Sequence, residues 1–140
     1  MCCRLTITPL DEDLAKVVLA LGMFEPTGMA NTWERLAEDG TTVRALFNYG
    51  VLGTETPTLR LELSPSISHY SHHAEKRVSG GIYFEIAAKY AEKVNGTITQ
   101  LSNVIGCTDG GVNSKVLAVY PDQPLMWEQV CNGFREVIMG

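Results

Sequence analysis

Apolar residues recur every three to four positions along residues 79–96, SGGIYFEIAAKYAEKVNG, and this stretch predicts the main helix of the chain. Ile82, Ile86, Tyr90 and Val94 repeat at i+4, with Tyr83, Ala87 and Ala91 beside them. Glu85, Lys89, Glu92 and Lys93 fall mainly on the other side, and Glu85 precedes Lys89 in the favourable i, i+4 order. Asn95-Gly96 supplies the stop, because glycine enters the left-handed region without a Cβ penalty. Gly80 and Gly81 each weaken a helix interior by about 1 kcal/mol, so a break or kink is expected near them.

Before this helix the pattern changes period several times. Residues 3–8 alternate loosely, with Leu5 and Ile7 on one face, and predict a first strand. Thr8 and Pro9 are expected to open a helix, with Asp11, Glu12 and Asp13 in its first turn, where the helix dipole favours acids. Leu14, Val17, Val18 and Leu21 form its expected apolar stripe, and Gly22 ends it. Residues 23–31 contain Pro26 and Gly28 and predict a loop. Residues 32–36 and 41–49 flank Ala37-Glu38-Asp39-Gly40, a strong hairpin signal, with Trp33, Val43, Leu46 and Tyr49 as candidate buried or half-buried positions. Residues 50–57 predict a loop. Residues 58–63 alternate cleanly, with Leu59, Leu61 and Leu63 inward and Arg60 and Glu62 outward.

After the main helix, residues 97–101 and the Val-containing run 115–120 predict strands around a glycine-rich loop. Pro121-Asp122-Gln123-Pro124 predicts a turn into a last helix, residues 125–139, with Trp127, Val130, Cys131, Phe134, Val137 and Ile138 along one side. The order β, α, β, β, β, α, β, β, α implies one α+β domain over residues 1–140, with a mostly antiparallel sheet and helices packed on one face. Outward Arg44, Arg60 and Glu62 imply that the other face is solvated or given to a partner.

Charge and composition narrow the function classes. The net charge is −5, with no cluster of Lys and Arg, which argues against a nucleic-acid partner. No apolar run reaches membrane-spanning length, and the N-terminus lacks the apolar core of a secretory signal. Cys2, Cys3, Cys107 and Cys131 show no CxxC pair, so a reduced, cytoplasmic protein is expected.

His69, His72 and His73 form an H-x-x-H-H pattern, and on a helix i, i+3 and i+4 share a face. Two or three imidazoles there would suit Zn, Ni or Cu, although no fourth ligand and no H-E-x-x-H pattern accompanies them. A polar surface segment is the plainer expectation. Cys107 sits beside Thr108 and Asp109 in the glycine-rich loop. It would need a base such as one of these histidines to act as a nucleophile, whereas Asp-Gly-Gly already explains the segment as a turn. Ser79-Gly80-Gly81 lacks the spacing of a phosphate-binding loop. No cofactor is expected. Glu34, Glu38, Asp39 and Glu55 fall on hairpin and loop positions, where with Trp33 they would form an acidic and aromatic surface for a basic partner.

Residues 75–101, EKRVSGGIYFEIAAKYAEKVNGTITQL, resemble the helix–Gly–strand segment of small bacterial immunity proteins, which neutralise polymorphic or contact-delivered toxins. The matching positions are Ile86, Ala87, Tyr90, Ala91, Glu92, Gly96 and Ile98. The resemblance implies a non-enzymatic, one-to-one inhibitor of a toxin domain and carries over no binding position. Two other expectations stand beside it: a small metal- or ligand-binding enzyme using His69, His72 and His73, and a homodimer built on an open sheet edge or face.

Overall fold

Strand β1, Cys2–Thr8, lies inside a seven-stranded antiparallel sheet in the computed structural model, which describes residues 2–36, 42–50, 56–64, 78–103 and 113–126. The other strands are β2 (Glu25–Pro26), β3 (Thr32–Leu36), β4 (Thr42–Asn48), β5 (Thr58–Ser64), β6 (Thr97–Asn103) and β7 (Asn113–Val119). Their order across the sheet is β2-β3-β4-β5-β1-β6-β7. Helix α1 (Glu12–Leu21) follows β1, and helix α2 (Val78–Val94) joins β5 to β6. β5 and β6 both run antiparallel to β1 and flank it, so α2 carries the chain across the strand that lies between them. This is the expected α+β domain. β3, β4 and β5 form the expected meander.

Period-2 alternation decides which side chains enter the core. Leu59 and Leu61 of β5 are buried, while Arg60 and Glu62 point the other way. On β4, Val43, Ala45 and Phe47 are buried and face the same side. Val43 and Leu46 are both expected at buried or half-buried positions, and Val43 is buried and Leu46 half-buried. They sit three residues apart on one strand, so parity puts them on opposite faces, and Leu46 stays half-buried on the outer one.

α2 packs on β1, β4, β5 and β6 and on α1. Its Tyr83, Phe84, Ile86, Ala87, Tyr90 and Ala91 share one apolar cluster with Leu5, Ile7, Leu59, Leu61 and Ile98. The expected Glu85–Lys89 pair forms at 3.6 Å. The helix runs through Gly80 and Gly81 without the expected break. Burial of the following two turns, at about 1.5–3 kcal/mol for each large apolar side chain, outweighs the glycine cost.

α1 differs from its expected form at both its start and its face. Asp11, not Thr8, is the N-cap, and its carboxylate accepts a hydrogen bond from the Leu14 amide at 3.1 Å. Thr8 instead remains in β1, paired with Thr97 of β6. The buried face is Ala15, Val18 and Leu19, whereas Val17 is 51% exposed and Leu21 69%. Ala15, Val18, Leu19 and Gly22 follow i, i+3, i+4, i+7, and small residues at both ends let α1 approach α2. A Cβ at Gly22 would overlap the Ile86 side chain.

The end of α2 also differs in detail. Asn95, at φ 51°, takes the left-handed conformation expected of the glycine. Gly96 serves close approach instead, since a Cβ there would overlap the backbone oxygen of Thr8. Residues 23–31 contain β2, a two-residue edge strand that ends in Pro26. Proline has no N–H to give to a ladder, so it fits an edge. At the opposite edge, β7 carries a bulge between its pairings with Ile98 and Thr99, and Lys115 is exposed there. Both features discourage edge-to-edge pairing. The expected turn at residues 121–124 is present, closed by reciprocal backbone hydrogen bonds between Val119 and Gln123. The expected last helix falls almost wholly outside the described residues. Among these residues no helix is long and apolar enough to cross a membrane.

Candidate functional site

The two described helices share one face of the sheet, and the strands present a charged pattern on the other. Arg4 of β1 pairs in register with Glu62 of β5, Glu62 with Arg44 of β4, and Arg44 with Glu34 of β3. Four charges of alternating sign therefore cross four strands in one line. Arg44 donates to Glu34 Oε1 through Nη2 at 2.9 Å and through Nε at 3.0 Å. Arg4 Nε lies 3.3 Å from Glu62 Oε1. Arg60, two residues before Glu62 and on the same face, places Nη2 against the same carboxylate oxygen. Arg4, Arg60 and Glu62 side chains are 20%, 25% and 23% exposed, and Arg44 and Glu34 are 42% and 38%. The line is thus more sheltered at β1 and β5 and more open at β3 and β4.

Beyond Glu34 the alternation fails. The next residue in the line is Glu25 of β2, directly opposite Glu34. Like charges facing each other across an antiparallel pair oppose its formation. Glu34 has Arg44 on its other side, whereas Glu25 forms no ion pair among the described residues. The two carboxylates line a shallow concavity of about 410 Å³ together with Pro26, Thr27, Leu36 and Thr42. Leu36 is 70% exposed at its rim. Two acids, one of them without a cation among the described residues, beside an exposed leucine suit a basic side chain with an aliphatic stem.

Trp33 and Glu34, both expected at a partner surface, leave β3 on opposite faces. Trp33 is half-buried against the core, its ring 4.5 Å from that of Phe47. Glu34 is in the acidic concavity. Glu38, Asp39 and Glu55 lie outside the described residues, as do His69, His72, His73 and Cys107. Among the described residues no group of three or more His, Cys, Asp or Glu is placed to hold a metal ion. Tyr49 is 37% exposed beside the end of β4. Glu25 was not a sequence candidate. The one signal for it is a Glu-Pro step ahead of a strand, a sign of an edge that does not give the register.

A second concavity, of about 490 Å³, lies between the helices and is lined by Val18, Leu21, Lys89, Glu92 and Lys93. Its charges are of both signs, and Lys89 is already paired with Glu85. The acidic corner at β2 and β3 is the more selective of the two surfaces.

Compared with known family models, with curated proteins and with solved structures, the chain finds no match.

Proposed function

We propose that the chain is a non-enzymatic protein-binding domain that presents the acidic corner of its open sheet face to a basic protein surface. The observation that carries this reading is the register pair Glu25–Glu34. It places two carboxylates together at the sheet edge, where repulsion between them opposes the pairing and a basic side chain from a partner would relieve it. The exposed Leu36 beside them supplies apolar contact.

The resemblance of residues 75–101 to immunity proteins gives the partner its class. It is a toxin domain, held in a one-to-one inhibitory complex in the bacterial cytoplasm. Acidic surfaces suit such a task, because complementary charge speeds encounter and excludes wrong partners.

The test begins by isolating the protein with its bound polypeptide from native lysate, then measuring affinity for that polypeptide with and without Glu25→Lys. Glu25 forms no ion pair among the described residues, so the substitution breaks none of the ion pairs from β1 to β3. The expected result is at least a tenfold loss of affinity, about 1.4 kcal/mol, together with lost protection when the two proteins are co-expressed. Affinity and protection unchanged by Glu25→Lys would remove the acidic corner from the function. An isolated protein carrying stoichiometric metal and no polypeptide would remove the inhibitor reading itself.

A further inference from the structure

We propose that two copies of this chain pair through their charged sheet faces, about a two-fold axis that runs along the strands above the gap between β4 and β5. The argument rests on the sign pattern of one register line. From β1 to β3 the line is Arg4, Glu62, Arg44, Glu34, or plus, minus, plus, minus. A two-fold axis parallel to the strands reverses the line and turns it over onto itself. The first position then faces the fourth, and the second faces the third. Arg4 meets Glu34 of the second copy, and Glu62 meets Arg44 of the second copy. Every charge in the line finds the opposite sign. A line with like charges at its two ends, or at its two middle positions, lacks this property.

The flanking line agrees. Thr6, Arg60, Leu46 and Thr32 follow one another across the same four strands. Under the same rotation Thr6 faces Thr32, and Arg60 faces Leu46. No two like charges are brought together. The guanidinium of Arg60 already leans on Glu62, which leaves its aliphatic stem to cover the half-buried Leu46. Sheets packed face to face lie about 10 Å apart with their strands nearly aligned, a gap that arginine and glutamate side chains fill from both sides. The symmetry is isologous, the commonest kind among homodimers. β7 is a poor alternative, because its bulge and Lys115 oppose pairing along the edge.

The charges also explain why such a dimer would be salt-sensitive. Arg44 and Glu34 side chains are 42% and 38% exposed, so salt ions reach charges that would meet the second copy. The sign pattern of the line supports the pairing without reference to the proposed basic partner. The two share Glu34, so a partner held at the acidic corner and a second copy on this face would exclude each other.

Sedimentation velocity on the full chain tests the proposal, with two double variants that invert half of the line each. Arg4→Glu/Glu62→Arg gives minus, plus, plus, minus, and Arg44→Glu/Glu34→Arg gives plus, minus, minus, plus. Along the line each keeps two of the three neighbour attractions; the first also loses the Arg60–Glu62 pair, and circular dichroism checks that each folds. Under the two-fold axis each variant repels itself at all four positions, while the two variants attract each other at all four. The expected result is a wild-type dimer, two monomeric variants, and a one-to-one heterodimer when the variants are mixed. The wild-type dimer is also expected to weaken at least tenfold between 0.1 and 1 M NaCl, as the Debye length falls from about 10 to about 3 Å. That measurement decides the matter if either variant fails to fold. A wild-type chain that stays monomeric at about 1 mM in 0.1 M salt overturns the proposal, since this excludes even the weakest useful affinity. So does a dimer that ignores salt, or one that either variant forms alone as well as the wild type does.

Discussion

Tyr90→Phe should loosen the joint between β1 and α1 while leaving the core shape intact. Tyr90 is fully buried, and its hydroxyl donates to the Pro9 carbonyl at 2.6 Å and accepts from the Asp11 amide at 2.7 Å. One oxygen on α2 thus holds both ends of the short link after β1, and it steadies the residue that caps α1. The substitution keeps the ring and removes that oxygen. Two hydrogen bonds at about 1 kcal/mol each give a loss of about 2 kcal/mol. Pro9 and Asp11 are themselves exposed, so water can reach the orphaned groups, and the larger cost of sealed, unpaired atoms does not apply. Urea unfolding monitored by circular dichroism measures the change. With m near 2 kcal/mol/M the midpoint should fall by about 1 M. A fall of less than about 0.25 M, or 0.5 kcal/mol at that m, would refute the account of this joint. The pH dependence gives an independent check. Burial pushes the Tyr90 hydroxyl above its ordinary 10.0; the hydrogen bond from the Asp11 backbone pulls it down, and the Asp11 carboxylate pushes it up. The folded chain therefore keeps this proton at pH values where the unfolded chain releases it. The resulting stability is complete below pH 10 and is lost as pH rises through the folded value. The gap between wild type and Tyr90→Phe should accordingly be constant from pH 7 to 9 and narrow above 10.

Two further substitution sets test how the helices are seated. Leu19→Ala should cost about 3 kcal/mol and Leu21→Ala less than about 0.5, because the first is fully buried and the second 69% exposed; urea midpoints compare them directly. Equal losses would return Leu21 to the core stripe. Gly96→Ala should lower the thermal midpoint by about 10 °C, as a Cβ there meets the rigid backbone of Thr8 rather than a side chain that can swing aside. A midpoint within 2 °C of wild type would show that β1 and β6 can part at that point at little cost.

What the sequence made legible was the local pattern. The alternation of residues 58–63 fixes the faces of β5, and the i+4 repeat of Ile82, Ile86 and Tyr90 fixes the buried side of α2. Both are read within a single element. Errors arose where two local signals competed and a distant partner decided. Thr8 and Asp11 are both sound N-caps. The ladder between β1 and β6 extends to Thr8–Thr97, which keeps Thr8 extended and leaves the cap to Asp11. In α1 two apolar stripes overlap, Leu14/Val17/Val18/Leu21 and Ala15/Val18/Leu19. The docking against Ile86 of α2 selects the second, in which alanine and glycine permit close approach. Glu34 was legible as a surface acid. Glu25 was not, because its importance lies in a register across two strands that no residue type announces.

The charged face is built in a way that its contribution to stability does not explain. An ion pair at 38% and 42% exposure, such as Glu34–Arg44, adds about 0–1 kcal/mol, partly because ordering two long side chains costs entropy. Threonines, which pack well in strands and keep a face wet, would serve stability as well; Thr6, Thr97 and Thr99 do so next to the line. What the ion pairs supply is order. Arg44 is held by two nitrogens on one carboxylate oxygen, and Glu62 lies between Arg4 and Arg60. Side chains already fixed in place lose less freedom when a partner arrives, which lowers the cost of association. The same line then ends in two acids without alternation, so among the described residues its β2 end carries an unpaired carboxylate beside an exposed Leu36. An ordered, sign-alternating strip with one unbalanced end is a surface prepared for contact. The proposed second copy would use the balanced part, and the proposed basic partner the unbalanced end.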